Sequence, residues 1–292
     1  MIITALLKLH LSILIAGFTG ILGKLICFDS FILGWYRGLI TFGVLALIMY
    51  FAKSFITIKP KDKIRCLFLG GILALHWICF YGSIKLSNVS IGVICLSCMG
   101  FFTSILEPLI IKNKLSIKES LFSLLSLIGI LFVFQFESKY RLGIAVGVLG
   151  AFLASLYTIL NKKMVIKYKA DSLLLYEMAG VILLLTLLMP IYFSFNPFSN
   201  LEGSVLDFFY VFLLSTLCTI GLYYLQISVM KIISAFTVNL SYNLEPIYSI
   251  IIAMILFNEA KDLNFSFYVG LLFIFVSVSL QTLSVIKTNK RK

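Results

Sequence analysis

Asn239, Tyr242, Asn243, Glu245 and Pro246 sit in the middle of a stretch, 232 to 257, that is otherwise almost entirely apolar. Four of them, Asn239, Tyr242, Asn243 and Pro246, follow at i, i+3, i+4 and i+7, which puts them on one stripe of a helix. Two amides, a phenol, a carboxylate and a proline lacking an N–H suit the wall of a polar cavity, where each group can offer a hydrogen bond to a small solute. The same groups could instead join helices through hydrogen bonds and fill the gap that proline leaves. Facing hydrocarbon, they would cost several kcal/mol, so the stripe must face protein or water.

Other candidates lie at similar depth. "LHWICFYGS" supplies His76, Trp77 and Tyr81, and a later stretch supplies Tyr223 and Gln226. His76 reads equally as a packing group and as a ligand contact, and an imidazole facing Glu245 would be able to pass it a proton. Arg37 lies about six residues, or roughly 9 Å, into its helix. It either snorkels to the outer surface or holds a substrate carboxylate or gate. Glu177 occupies a comparable depth from the other face and carries the same two readings, and Pro246, whose missing N–H loosens the backbone, is grouped with the gating residues. Glu107, close to Lys112 and Lys114, reads as a surface ion pair.

The elements that must position these groups are membrane helices. Of the 292 residues, 61% are hydrophobic and 12% charged, too apolar for a surface that meets water. A helix needs about 20 mostly apolar residues to cross a bilayer, and ten such stretches occur: 5–27, 31–52, 66–86, 89–111, 117–136, 142–161, 172–193, 205–230, 232–257 and 264–286. The first is longer than a signal-peptide core and is expected to be retained. The connections are too short to hold a soluble domain.

A net charge of +12 would suggest nucleic acid in a soluble protein. Here the basic residues cluster on one side, at Lys59, Lys61, Lys63 and Arg65, at Lys162, Lys163, Lys167 and Lys169, and at Lys287, Lys290, Arg291 and Lys292. The opposite side carries only Lys24, Lys85, Lys139, Arg141 and Lys261. That asymmetry places both termini in the cytoplasm and leaves no need for a nucleic acid. Cys95 and Cys98 form a CxxC, but with no second pair or nearby histidine they read as packing residues, and no metal or cofactor is expected.

The second half resembles the first. "FDSFILGWYRG" (28–38) lies over "ADSLLLYEMAG" (170–180), "AGFTGILGK" (16–24) over "ASLYTILNK" (154–162), and "FYGSIKLSNVS" (80–90) over "QISVMKIISAF" (226–236), at offsets of 138 to 146 residues. Two copies of a five-helix unit follow, 1–138 and 139–292. Because five is odd, the second copy enters the bilayer upside down, an arrangement that recurs in secondary transporters. The pairs Glu107-Pro108 and Glu245-Pro246 are 138 residues apart, whereas Lys85 and Lys231 are 146 apart, so the two dipeptides are not equivalent positions. The fold expected is an all-α integral membrane protein, ten transmembrane helices in two inverted five-helix repeats around a central cavity.

"WYRGLITFGVLALI", "FYGSIKLSNVSIGVI", "LASLYTILNKK" and "SAFTVNLSYNLEPIYSIIIAMILFNEAKDLNFSFYVGLLFIFVSV" resemble the EamA-type branch of the drug/metabolite transporter superfamily, over nearly the whole chain. The last run carries the family's mid-helix proline, Asn258-Glu259 turn and glycine-bearing final helix. Where that family often has a proline in helix 4, this chain has Gly100, with Pro108 two turns later. The resemblance implies a basket in which the first four helices of each half line a cavity, and a carrier, not an enzyme, that exports amino acids or other small metabolites across the cytoplasmic membrane.

Nucleosides, nucleotide-sugars or drugs are alternative cargoes. An intramembrane lipid-modifying enzyme is a further alternative, although the chain has only two histidines, His10 and His76. So is a structural or signalling membrane protein, although no large loop is present. No GxxxxGK[ST] motif offers ATP drive. A coupling proton or cation, the solute's own gradient or counter-exchange remains as the energy source. The partners expected are a small solute, such a coupling ion and the lipid bilayer, with the chain acting as a monomer or homodimer.

Overall fold

The computed structural model describes residues 2–53, 58–112, 117–136, 138–196, 201–257 and 265–290. Every extended element among them is helical: α1 (Ile2–Leu25), α2 (Ser30–Phe51), α3 (Pro60–Leu86), α4 (Val89–Cys95), α5 (Cys98–Ile111), α6 (Ile117–Phe136), α7 (Arg141–Val165), α8 (Ala170–Phe195), α9 (Val205–Ser215), α10 (Leu222–Met230), α11 (Ala235–Ser241), α12 (Glu245–Phe257) and α13 (Phe265–Lys290). Seven stretches among the described residues are long and apolar enough to cross a membrane. Large side chains such as Phe51, Phe195, Val205 and Phe265 stand outward and exposed, as lipid-facing residues do.

Local chemistry fixes the helix ends. Asp29 precedes α2 and accepts the Phe31 and Ile32 N–H groups at 2.9 and 3.1 Å, satisfying donors that no helical carbonyl can reach. Asn88 does the same for α4 through Ile91 N–H at 2.8 Å. Ser204 and Asp207 form a reciprocal capping box at the start of α9. Asp207 also accepts the Cys27 N–H at 2.8 Å, tying the end of α1 to the start of α9.

Three expected spans are broken. The stretch 89–111 divides at Leu96 and Ser97, whose N–H groups bond back three residues, to Val93 and Ile94 carbonyls. The stretch 232–257 divides at a 3₁₀ turn, Tyr242–Leu244, where Pro246 has no N–H for the Tyr242 carbonyl and the Glu245 N–H takes it instead. This leaves Glu245–Phe257 as a shorter apolar helix, one reason why the described spans number fewer than ten. Pro108, by contrast, lies inside an unbroken α5. The stretch 205–230 widens into a π-helical turn at Thr216–Gly221. The Thr219 hydroxyl reaches back five residues there, to the Leu214 carbonyl at 2.8 Å.

Helices α3 and α8 cross with their backbones in contact. A Cβ on Gly70 would meet the Glu177 carbonyl oxygen and one on Gly180 the Leu67 carbonyl oxygen, both far inside contact distance. Only glycine permits this approach, the small-residue packing that membrane helices use in place of a hydrophobic driving force. Gly70→Ala or Gly180→Ala must push the helices apart, at a cost of about 1–3 kcal/mol. Each is expected to lower the melting midpoint of the detergent-solubilised protein, while Gly43→Ala, where an added Cβ meets nothing within 4 Å, leaves it unchanged.

Candidate functional site

Where α4 gives way to α5 and α11 to α12, the interrupted helices border a cavity of about 120 Å³. Thr19 of α1, Arg37 of α2, His76, Trp77 and Phe80 of α3 and Leu96 and Met99 at the first break line one part of it. Tyr157 and Thr158 of α7, Leu174 of α8, Cys218 and Thr219 of the π turn, Tyr223 and Gln226 of α10, and Tyr242 and Glu245 at the second break line the rest. Helices α6 and α13 pack on each other, and none of their described residues lines the cavity.

Arg37 does not snorkel. Its side chain is buried and spent inward: Nε donates to Thr219 Oγ1 at 2.8 Å, one terminal nitrogen to the Tyr81 hydroxyl at 2.6 Å and the other to the Cys218 carbonyl at 3.0 Å. The guanidinium carbon lies 4.0 Å from the Trp77 ring centroid, a cation–π contact. The π turn makes this possible. Widening the helix frees carbonyls from its own ladder, and Cys218 offers one to Arg37. The Ser215 hydroxyl returns a bond to the Arg37 carbonyl at 3.2 Å.

Glu245 opens α12 with its carboxylate in the cavity wall, buried, and among the described residues no hydrogen bond or ion pair meets it. The cavity thus carries one guanidinium held by neutral partners and one carboxylate with none. His76 binds the Gly150 carbonyl through Nδ1 at 2.9 Å. A carbonyl only accepts, so Nδ1 carries the hydrogen and Nε2 remains as the second polar atom of the ring. No bond joins His76 to Glu245 among the described residues, although both line the cavity. The Tyr242 hydroxyl donates to Ser12 Oγ at 3.2 Å, so its polar end is anchored in α1.

Several sequence candidates lie elsewhere. Asn239 is fully buried and donates to Thr103 Oγ1 at 2.8 Å, fastening α11 to α5 and not lining the cavity. It shares the stripe of Tyr242, but the 3₁₀ turn changes the helical phase before Glu245. Tyr81 is also fully buried and stands behind the wall as a partner of Arg37. Pro246 shapes the break without lining the space, and the Asn243 side chain is outside the described residues, as are Asn258 and Glu259.

Glu177 faces no solute space; its Oε2 accepts the Tyr157 and Tyr223 hydroxyls at 2.7 and 2.9 Å. Glu107 is not paired with Lys112: its carboxylate accepts the Phe236 N–H at 2.9 Å, capping α11, and stands 4.0 Å from Lys162, while Lys114 is outside the described residues. Cys95 and Cys98 are buried on either side of the α4–α5 break. Sequence reading missed Tyr157, Thr158 and Thr219. A signal for the first was present, because Tyr157 and Asn161 are spaced i, i+4 on a mostly apolar helix.

A helical membrane protein with a largely apolar cavity that holds a few polar and charged groups and is bordered by interrupted helices has the build of a solute carrier. The model of the EamA-like transporter family matches residues 3–135 and again 141–283, so the chain belongs to that family, within the drug/metabolite transporter superfamily, whose members are membrane transporters. The two matches make it a two-repeat, multi-pass membrane protein. No curated protein matches the chain. A solved structure titled "Crystal structure of protein" is similar in fold, with a TM-score of 0.70 at 14% identity, covering 97% of this chain and 98% of that one.

Arg37→Ala deletes three hydrogen bonds and a ring contact and leaves Tyr81, Thr219 and Cys218 without their donor. We expect a loss of about 1–3 kcal/mol, seen as a lower melting midpoint. Arg37→Lys recovers only part of it, because an ammonium cannot reproduce the planar fork and the stacking together.

Proposed function

We propose that this protein is a secondary transporter that exports small metabolites such as amino acids across the cytoplasmic membrane by alternating access. Its ten spans form two inverted five-helix units, 1–138 and 139–292, with both termini in the cytoplasm. The observation that carries the reading is the cavity itself, which gathers Arg37, His76, Gln226 and Glu245 among aromatic rings, deep within helices that hydrocarbon surrounds. Charged groups at such depth are costly unless a function uses them.

The positions of the helix breaks support the symmetry. Moving α4, Val89–Cys95, forward by 146 residues gives α11, Ala235–Ser241, the same offset that relates Lys85 to Lys231. Each half then carries one interrupted helix at the same place, and interrupted helices beside a solute site are what inverted-repeat carriers use to bind polar solutes. In this reading Arg37 and Glu245 recognise charge, Tyr242, Tyr223, Trp77 and His76 enclose the solute, and Pro246 holds the break open.

Counterflow into liposomes loaded with amino acids, nucleosides or sugars tests the function. An amino acid is expected to exchange, and Glu245→Gln to slow that exchange about tenfold or more, the loss of one hydrogen bond to a charged group. No flux of any class in protein that remains folded rejects the carrier, and exchange of nucleosides or sugars alone replaces the cargo.

Orientation has its own check. Cys27 is exposed at the end of α1, whereas Cys66, Cys95, Cys98 and Cys218 are buried. A membrane-impermeant maleimide added outside intact cells is expected to label the wild type and to lose that labelling in Cys27→Ser. Labelling of Cys27 only after the membrane is opened would reverse the proposed topology.

A further inference from the structure

Two tyrosines of the cavity wall, Tyr157 and Tyr223, turn their hydroxyls away into a closed ring of polar side chains behind it. Glu177 of α8 is fully buried; Tyr157 of α7 and Tyr223 of α10 both donate to its Oε2, at 2.7 and 2.9 Å. Asn161, one turn beyond Tyr157, donates its amide hydrogens to the same two phenol oxygens at 3.0 and 3.2 Å. Each phenol therefore donates once and accepts once, and the ring closes. Its directions leave no choice at Asn161, whose nitrogen must face the phenols.

Two oxygens are left over. Glu177 Oε1 and Asn161 Oδ1 are buried without a hydrogen-bond partner. From α3, the Cys66 thiol lies within electrostatic range of the carboxylate, while Gly70 meets the Glu177 backbone carbonyl. Lys63 of α3 sits instead over the neighbouring Tyr176 ring, 5.3 Å from its centroid. Among the described residues no cation lies within 4 Å of Glu177. An anion there has no counter-charge, and Oε1 has no donor. With a hydrogen on Oε1 the same geometry is that of a neutral acid: Oε2 is its carbonyl oxygen, accepting two bonds, and Oε1 its hydroxyl.

We propose that the Glu177, Tyr157, Tyr223 and Asn161 cluster is a proton-binding site behind the solute cavity, and that the proton it holds is the coupling ion of the transport cycle. The coupling part rests on the carrier reading above; the proton site does not. One proton passes between cavity water and the Glu177 carboxyl, which becomes carboxylate as it leaves, while both phenols keep their own. Tyr157 and Tyr223 line the cavity and bind Glu177 through their hydroxyls, so a solute that shifts the rings opens the carboxyl to water, and an ionised carboxyl shifts the rings in turn. The backbone contact of Glu177 with Gly70 makes α3, which carries His76 and Trp77, move with it.

Infrared titration of the purified protein in nanodiscs reads the proton directly. A carboxylic-acid carbonyl band that bleaches as pH rises is expected in the wild type and in Glu245→Gln, to shift in Glu177→Asp and to be absent in Glu177→Gln. The Tyr157→Phe, Tyr223→Phe double variant, which removes both donors, is expected to move the pH at which the band bleaches. A band unchanged in folded Glu177→Gln overturns the site.

In liposomes holding an amino-acid mixture, flux is expected to change about tenfold per pH unit on the limb that one proton controls, and Glu177→Gln to flatten that limb whatever the absolute rate. A limb as steep in Glu177→Gln as in the wild type overturns the coupling role. If no amino acid moves, the cargo reading fails while the infrared result still decides the proton site.

Discussion

Hydrocarbon supplies no hydrogen bonds, so each polar atom that this chain carries into the bilayer has to find its partner within the chain. Arg37 shows how strongly that requirement shapes the fold. Satisfying one guanidinium takes a hydroxyl and a carbonyl from the π turn, a phenol and an indole from α3. Those groups converge only because α2, α3 and the α9–α10 helix meet around a common space. The side chain joins elements far apart in sequence, from Trp77 to Thr219, and makes the cavity wall a single unit. Glu245 escapes the requirement by facing the cavity, while Glu177 Oε1 and Asn161 Oδ1 are left over from it.

The irregular segments are consequences of the same rule. Regular helices satisfy their own backbone and have nothing to offer a solute or a buried ion. At Leu96–Ser97, Thr216–Gly221 and Tyr242–Leu244 the ladder is interrupted, and all three interruptions border the cavity. Non-helical backbone at membrane depth is tolerated where protein or a wet space surrounds it. Rigid packing elsewhere, as at the Gly70 and Gly180 crossing, keeps the irregularity local.

The membrane-spanning character and the two-repeat organisation were legible in the sequence, because hydropathy runs and offset matches are one-dimensional signals, whereas the division of 232–257 was not, although the missing N–H of Pro246 loosens the backbone there. The stripe through Asn239, Tyr242 and Asn243 misled at Asn239. A helical periodicity was carried across a point where Pro246 changes the turn, so Asn239 faces Thr103 in place of the cavity. Arg37 could not be resolved from sequence, since its partners are supplied by residues some 180 positions later, and no local pattern announces them. Glu177 was similarly ambiguous until Tyr157 and Tyr223 were seen to close on it. The π turn had no signal at all in "TLCTIG", a segment of ordinary apolar and hydroxyl residues.

That turn holds one more residue than a regular helix would need, and the surplus sets the phase of everything beyond it. Each residue advances a helix by about 100°. Losing a single amino acid between Thr216 and Gly221 would let α9 run straight into α10 at normal pitch and swing Tyr223 and Gln226 round to another neighbour. The register of α10 therefore depends on a single surplus position, and deleting one residue there would re-address the whole of that helix without altering any side chain that remains.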